Sequence, residues 1–172
     1  MARLQDEGLS VAGLDLHPSG PRAERVDITQ GEQVMVALKR LRPRALIHTA
    51  AIVDDRGAPA AFEAVNVRGT EHVIAACEHV EVERLVHVSS IVVLGIDSPA
   101  HCDEHTPIQA YTGAPYMDTK ARSERSVLDA WANGRVPALV IRPGDIYGPG
   151  SQPWVARPLE MMRRGMPLLV GG

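Results

Sequence analysis

The segment Tyr116-Met117-Asp118-Thr119-Lys120 places a phenol and an ammonium four residues apart. On a helix that spacing puts both side chains on one face. A free tyrosine ionises with a pKa of about 10, too high to move protons efficiently at neutral pH. A fixed ammonium nearby stabilises the phenolate and lowers that value, which makes the pair a usable acid–base unit. The plain alternative is two side chains meeting by accident on a solvated helix. Composition counts against it. The 172 residues include three Tyr, and Lys39 and Lys120 are the only lysines; chance yields such a spacing in about 3% of such chains.

Ser89 and Ser90 end the apolar run that starts at Arg84. In open parallel sheets, ligands bind beyond the carboxyl ends of the strands. A hydroxyl there holds a substrate carbonyl or alcohol in line with the tyrosine; alternatively it only ends a strand and caps a turn. Asp15 closes the run Val11 to Asp15. An acid so placed accepts hydrogen bonds from a ribose 2′-hydroxyl and repels a 2′-phosphate, or it simply forms the turn before Pro18 and Gly20. His101-Cys102-Asp103-Glu104-His105 gathers metal-ligand atoms, but adjacent ligands suit metals poorly and no second cluster stands at zinc-finger spacing. No metal is expected. Cys77, His48 and His87 fall in apolar stretches and read as satisfied core residues.

The elements that must position these groups alternate. Strands are expected at residues 10–16, 25–28, 45–50, 84–90 and 138–143. Helices are expected from Thr29, as N-cap, to Pro43, with Val34, Val36, Ala37 and Leu41 on one face, then over 60–79, 116–134 and 156–164. The run Ala45 to Ala50 is apolar as a strand buried on both faces would be. A last short strand is expected at Leu168 to Val170. Strand and helix in alternation, with crossovers of a dozen residues or more, indicate a parallel α/β sheet.

Composition narrows the class. The net charge is −3 and hydrophobic residues make up 45%; the basic residues form no run that would hold a nucleic acid or an anionic membrane. Apolar runs are too short to cross a bilayer, and two cysteines, Cys77 and Cys102, form no disulfide framework. A cytoplasmic protein with no nucleic-acid or membrane partner is expected.

Taken in order, Leu14-Asp15, Val26-Asp27-Ile28, Ile47-His-Thr-Ala-Ala51, Asn66-Val-Arg-Gly-Thr70, Val86-His-Val-Ser-Ser90 with Gly95, Asp103-Glu104 with Pro107, Tyr116 to Lys120 with Glu124, and Ile141-Arg-Pro-Gly-Asp-Ile-Tyr-Gly-Pro149 resemble the extended short-chain dehydrogenases/reductases. That group contains the NAD-dependent epimerases/dehydratases and the 3β-hydroxysteroid dehydrogenases. The resemblance implies a Rossmann-like, doubly wound parallel sheet, with Tyr116 as catalytic acid–base, Lys120 tuning it and bonding the nicotinamide ribose, and Ser90 orienting substrate. It implies NAD as cofactor: Asp15 on the adenosine ribose, Asp27 and Ile28 lining the adenine pocket, Ala50 and Ala51 close to the phosphates and ribose, and Pro143 beside the nicotinamide. Asn66 is expected to be a structural support. The activity implied is hydride transfer to or from a secondary alcohol or ketone of a small molecule. The alternatives are a sugar-nucleotide epimerase/dehydratase of the same family, or a non-catalytic dinucleotide-binding or remnant protein. The helices over 60–79 and 115–134 imply a homodimer face.

Departures matter as well. Gly8, Gly13 and Gly20 do not form the family's GxxGxxG phosphate turn. The sheet is therefore expected to lack its first strand and glycine-rich loop, as in a fragment, with residues 1–150 an incomplete NAD-binding domain and 151–172 the start of a truncated substrate region. Asp145 replaces the family's frequent Asn after the Arg-Pro pair, which weakens a sugar-nucleotide substrate.

Overall fold

Every strand pairing in the computed structural model is parallel, and the pairings fall into two sheets. The structure describes residues 2–54, 57–97, 100–109 and 111–166, in two units, Met1–Arg142 and Pro143–Gly172. In the first unit, β1 (Gly13–Asp15) pairs with β2 (Ala23–Arg25), in register from Gly13 with Ala23 to Asp15 with Arg25. The second sheet sets β4 (Arg84–Val88) between β3 (Ala45–His48) and β5 (Ala138–Ile141), with His48 opposite His87 and Val88 opposite Ile141. The helices are α1 (Ala2–Asp6), α2 (Gly31–Leu41), α3 (Pro59–Phe62), α4 (Gly69–Val80) and α5 (Pro115–Ala132). A π-helical turn over Glu63–Arg68 joins α3 to α4.

One apolar cluster unites both sheets. Val34 and Leu38 of α2, Val73, Ile74 and Cys77 of α4, Leu85 of β4, and Val127 and Ala130 of α5 are buried together, and Leu14, Leu46 and Val140 pack against them. Where α2 and α4 meet, the ring of His72 lies over Gly31 and the side chain of Ile28 lies over Gly69. His72 Nδ1 donates to the Ile28 carbonyl at 2.8 Å.

Local chemistry shifts several expected boundaries. Val26 N donates the last bond of the ladder to Asp15 O, 3.0 Å, after which Asp27 turns the chain and ends the pairing. Asp27 Oδ1 accepts from Thr29 N (2.9 Å) and Thr29 Oγ1 (2.8 Å). Thr29 is thus spent on that turn, and α2 starts later with Gln30 as N-cap and no side-chain cap bond. The buried face of α2 is Val34, Ala37 and Leu38, one turn apart, whereas Val36 is exposed. β3 is not buried on both faces: Ile47 is 52% exposed, and among the described residues the strand is at a sheet edge, with β4 as its hydrogen-bonded neighbour. The strand expected at Leu168–Val170 lies outside the described residues.

The second unit, by itself, contains a π-helical turn over Gln152–Ala156 and α6 (Arg157–Arg163). The rings of Tyr147 and Trp154 face each other at 6.1 Å.

Candidate active site

Two consecutive residues at the carboxyl end of β4 are tied to α5, and a third faces it. Val88 O accepts from Lys120 Nζ at 2.7 Å. Ser89 Oγ donates to Glu124 Oε2 at 2.5 Å. Ser90 lies close enough to the Tyr116 hydroxyl to favour its ionised form. Tyr116, Lys120 and Glu124 stand one turn apart on α5, which Pro115 opens from its first position, where a missing N–H costs nothing. Ser90 also caps the 3-10 turn Ile91–Leu94, accepting from Val92 N, so its turn-capping and its site-facing readings hold together.

The electrostatics depart from the simple expectation. Tyr116 is half-buried, and burial pushes its phenol above the ordinary value, while the nearby Ser90 hydroxyl pulls the other way. Lys120 does not supply the expected downward pull; its ammonium is committed to Val88 O. Lys120 is 4% exposed, and burial lowers it to about 8, with the Glu124 carboxylate opposing the fall. Glu124 is fully buried and accepts from Arg142 Nε at 2.9 Å and Nη2 at 2.7 Å as well as from Ser89.

Behind this row lie two imidazoles, with ring centroids 5.3 Å apart. Thr70 Oγ1 donates to Asn66 O at 2.7 Å, so His48 Nε2 must be the donor in its 3.0 Å bond to Thr70 Oγ1. His48 is thus a satisfied core residue. His87 is not: both ring nitrogens are buried without a partner. Burial holds both rings uncharged, with His48 lowered to about 4 and His87 to about 3. Cys77 is an inert buried thiol, pushed up to about 12. Asn66 is a connector: its Oδ1 accepts from Ile52 N (2.8 Å), and its Nδ2 donates to Ile52 O (3.2 Å) and Thr119 Oγ1 (3.1 Å).

The remaining candidates are spread over the strand ends. Asp15 is exposed at the end of β1, with Oδ1 accepting from His17 N at 2.7 Å. Asp27 shapes the turn into α2, and the Ile28 carbonyl is taken by His72. Ala50 is exposed and Ala51 half-buried in the segment after β3. Pro143 opens the second unit. Asp103 accepts from His105 N and Thr106 Oγ1 in a local turn, and among the described residues no three His, Cys, Asp or Glu side chains gather as a metal site. An exposed acid ending one parallel strand, and hydroxyls with a lysine ending another, fit the two ribose ends of a dinucleotide. Among the described residues no glycine-rich turn leads from a strand into a helix, so the fit does not extend to a pyrophosphate.

Glu124 and Arg142 stand in the sequence as motif residues with no role attached. The available signal was position: Glu124 follows Lys120 by one helical turn, on the side buried against β4.

Comparison with known proteins places these features in context. The model of the 3-beta hydroxysteroid dehydrogenase/isomerase family matches residues 17–171. Mouse 3 beta-hydroxysteroid dehydrogenase type 7 is 36% identical over 137 residues, covering 73% of this chain and 37% of that protein. The 3-beta-hydroxysteroid dehydrogenase of Mycolicibacterium neoaurum is 32% identical over 165 residues, covering 90% of this chain and 44% of that protein. The chain spans less than half the length of these curated relatives. The crystal structure of Thermus thermophilus UDP-glucose 4-epimerase in complex with NAD superposes with a TM-score of 0.82 at 27% identity, over 97% of this chain and 59% of that one.

Proposed function

As a member of the 3-beta hydroxysteroid dehydrogenase/isomerase family, the chain holds its hydroxyl and lysine residues in bonding geometry, and we propose that it serves an NAD-dependent oxidoreductase acting on a secondary alcohol, or the matching ketone, of a small molecule. The observation that carries this reading is the 2.7 Å bond from Lys120 Nζ to Val88 O, which sets Tyr116, one turn earlier on α5, beyond the end of β4 on the side of Ser90. Two hydroxyls on that side can both meet one substrate oxygen. In the oxidative direction Tyr116, as the phenolate, takes the alcohol proton while the carbinol carbon loses hydride and the C=O bond forms; in reduction the Tyr116 phenol returns the proton. Ser90 donates to the substrate oxygen and holds it against the phenol. NAD, when bound, supplies the hydride acceptor, or the donor when reduced, with Asp15, Asp27 and Ile28 serving its adenosine part, Ala50 and Ala51 passing close to the cofactor without forming a phosphate cradle, and Lys120 and Pro143 serving the nicotinamide end.

Because burial raises the Tyr116 pKa, the phenol is protonated at neutral pH and ready to donate. The relatives' names, 3β-hydroxysteroid dehydrogenases, support a ring-borne alcohol as substrate. The likeness to an epimerase favours a sugar-nucleotide substrate as the second reading; Asp145 counts against it. A homodimer through the outer faces of α4 and α5, where Trp131 stands exposed, and a cytoplasmic location accompany the proposal; sedimentation equilibrium and cell fractionation test them. The central test pairs an NADH fluorescence titration with turnover of a 3β-hydroxysteroid. Tyr116→Phe should abolish turnover and keep NADH binding, and unchanged turnover would refute the assignment.

A further inference from the structure

Lys120 is a cation almost without solvent, and the reaction derived above does not say what keeps it charged. Taking Tyr116 and Lys120 as the acid–base pair of that reading, we propose that Glu124 is a positioning residue for them: its buried carboxylate holds the Lys120 ammonium charged against the end of β4, and Ser89 and Arg142 hold the carboxylate in place.

The geometry supports this in two ways. Glu124 lies one turn beyond Lys120 on α5, and its three hydrogen bonds, from Ser89 Oγ and from Arg142 Nε and Nη2, fix both of its oxygens. Ser89 in turn directly follows Val88, which takes the ammonium. Two bonds from two successive residues at the end of β4 thus fix the height of α5 over the reacting groups. The charges around Lys120 point the same way. Its own helix presents Tyr116 and Glu124; β3 presents His48 and β4 presents His87, both neutral by burial; the residue after β5 is Arg142. Glu63, in the π-helical turn packed on α5, is engaged by Arg122 instead. Among the described residues Glu124 is therefore the anion that opposes desolvation of the ammonium, which settles at about 8. A Glu124–Arg142 pair that served folding alone would leave the Lys120 charge indifferent to it.

Because Lys39 and Lys120 are the only lysines, lysine labelled with 13C at Cε gives two resonances whose pH titrations read the ammonium itself. Exposed Lys39 serves as the internal reference, and Lys39→Arg assigns it. The wild-type chain should show Lys120 titrating at about 8. Glu124→Gln should lower that midpoint by about one pH unit or more, and Arg142→Gln, which leaves the carboxylate unneutralised, should raise it. A Glu124→Gln midpoint unchanged against the Lys39 reference overturns the proposal, as does an Arg142→Gln midpoint that falls. So does a wild-type Lys120 titrating at about 5–6, the range of a buried lysine with no anion beside it, a reading that needs no variant to fold. The titration requires neither NAD nor substrate, so a failed turnover assay refutes the reaction while leaving this result to stand or fall separately.

Discussion

Asn66 connects the segment after β3 to the helix that carries Tyr116 and Lys120, and Asn66→Ala cuts that connection without touching either element's core. The substitution removes three hydrogen bonds, two with the Ile52 backbone and one with Thr119. Each is worth about 0.5–1.5 kcal/mol net, and more where a buried partner is stranded. Ile52 is half-buried, so water reaches its freed N–H and C=O in part. Thr119 Oγ1 keeps its 2.6 Å bond to Pro115 O. The lower half of the range, about 0.7–1 kcal/mol per bond, therefore applies, and the loss sums to about 2–3 kcal/mol. With a urea m-value of about 2 kcal/mol/M, the unfolding midpoint followed by far-UV circular dichroism should fall by about 1–1.5 M. Thr119→Val removes one of the same bonds and should cost about 1 kcal/mol. The double variant should then fall short of additivity, because the two side chains share that bond. A single-variant midpoint within about 0.3 M of wild type, on the same m-value, would refute the account of Asn66 as a connector.

Further outcomes follow from the titrating groups. His48 and His87 are held uncharged, with folded values of about 4 and 3, below the ordinary histidine value. The unfolded chain therefore binds more protons below the unfolded value of about 6.5. The stability from these rings is complete above that pH and is lost as pH falls toward the folded values, by up to about 1.4 kcal/mol per pH unit for each ring. Urea midpoints measured from pH 7 to pH 4 should show the slope, and His87→Phe should flatten it while costing little, since neither nitrogen of His87 has a partner to lose; an unchanged slope would count against the burial argument. For Tyr116 the raised value keeps the phenol protonated through neutral pH. Ketone reduction should therefore hold up to alkaline pH and decline as the phenol ionises, while alcohol oxidation rises over the same range. Opposite trends in paired rate profiles would remove Tyr116 from the proton-transfer step.

The alternation of strands and helices was legible in the sequence because apolar runs and helical periods follow each other at crossover length. So was the pairing of Tyr116 with Lys120 on one helix face beside Ser90. Element ends were less legible. Thr29 carries every mark of an N-cap, yet Asp27 captures both its hydroxyl and its N–H, and nothing in local sequence ranks those two uses. Val36 has the hydrophobicity of a core residue but the wrong angle on α2. The burial of Glu124 is a tertiary fact: one turn of sequence places it near Lys120, while Ser89 and Arg142, which make a buried carboxylate tolerable, follow the ends of two different strands, β4 and β5.

The contact of α2 with α4 bears on distance as well as on packing. Among the described residues the two sheets share no ladder, so the span from Asp15 at the end of β1 to the carboxyl end of β4, where α5 presents Tyr116, is gauged by how closely those helices approach. At Gly69 an added methyl would stand 2.7 Å from Ile28 Cδ1, and at Gly31 it would stand 2.9 Å from the His72 ring. Either helix would have to retreat, or Ile28 and His72 would have to swing aside. The two missing side chains thus act as a ruler for a ligand long enough to reach both sheets, and Ile28, one of the residues assigned to its far end, is itself part of the scale.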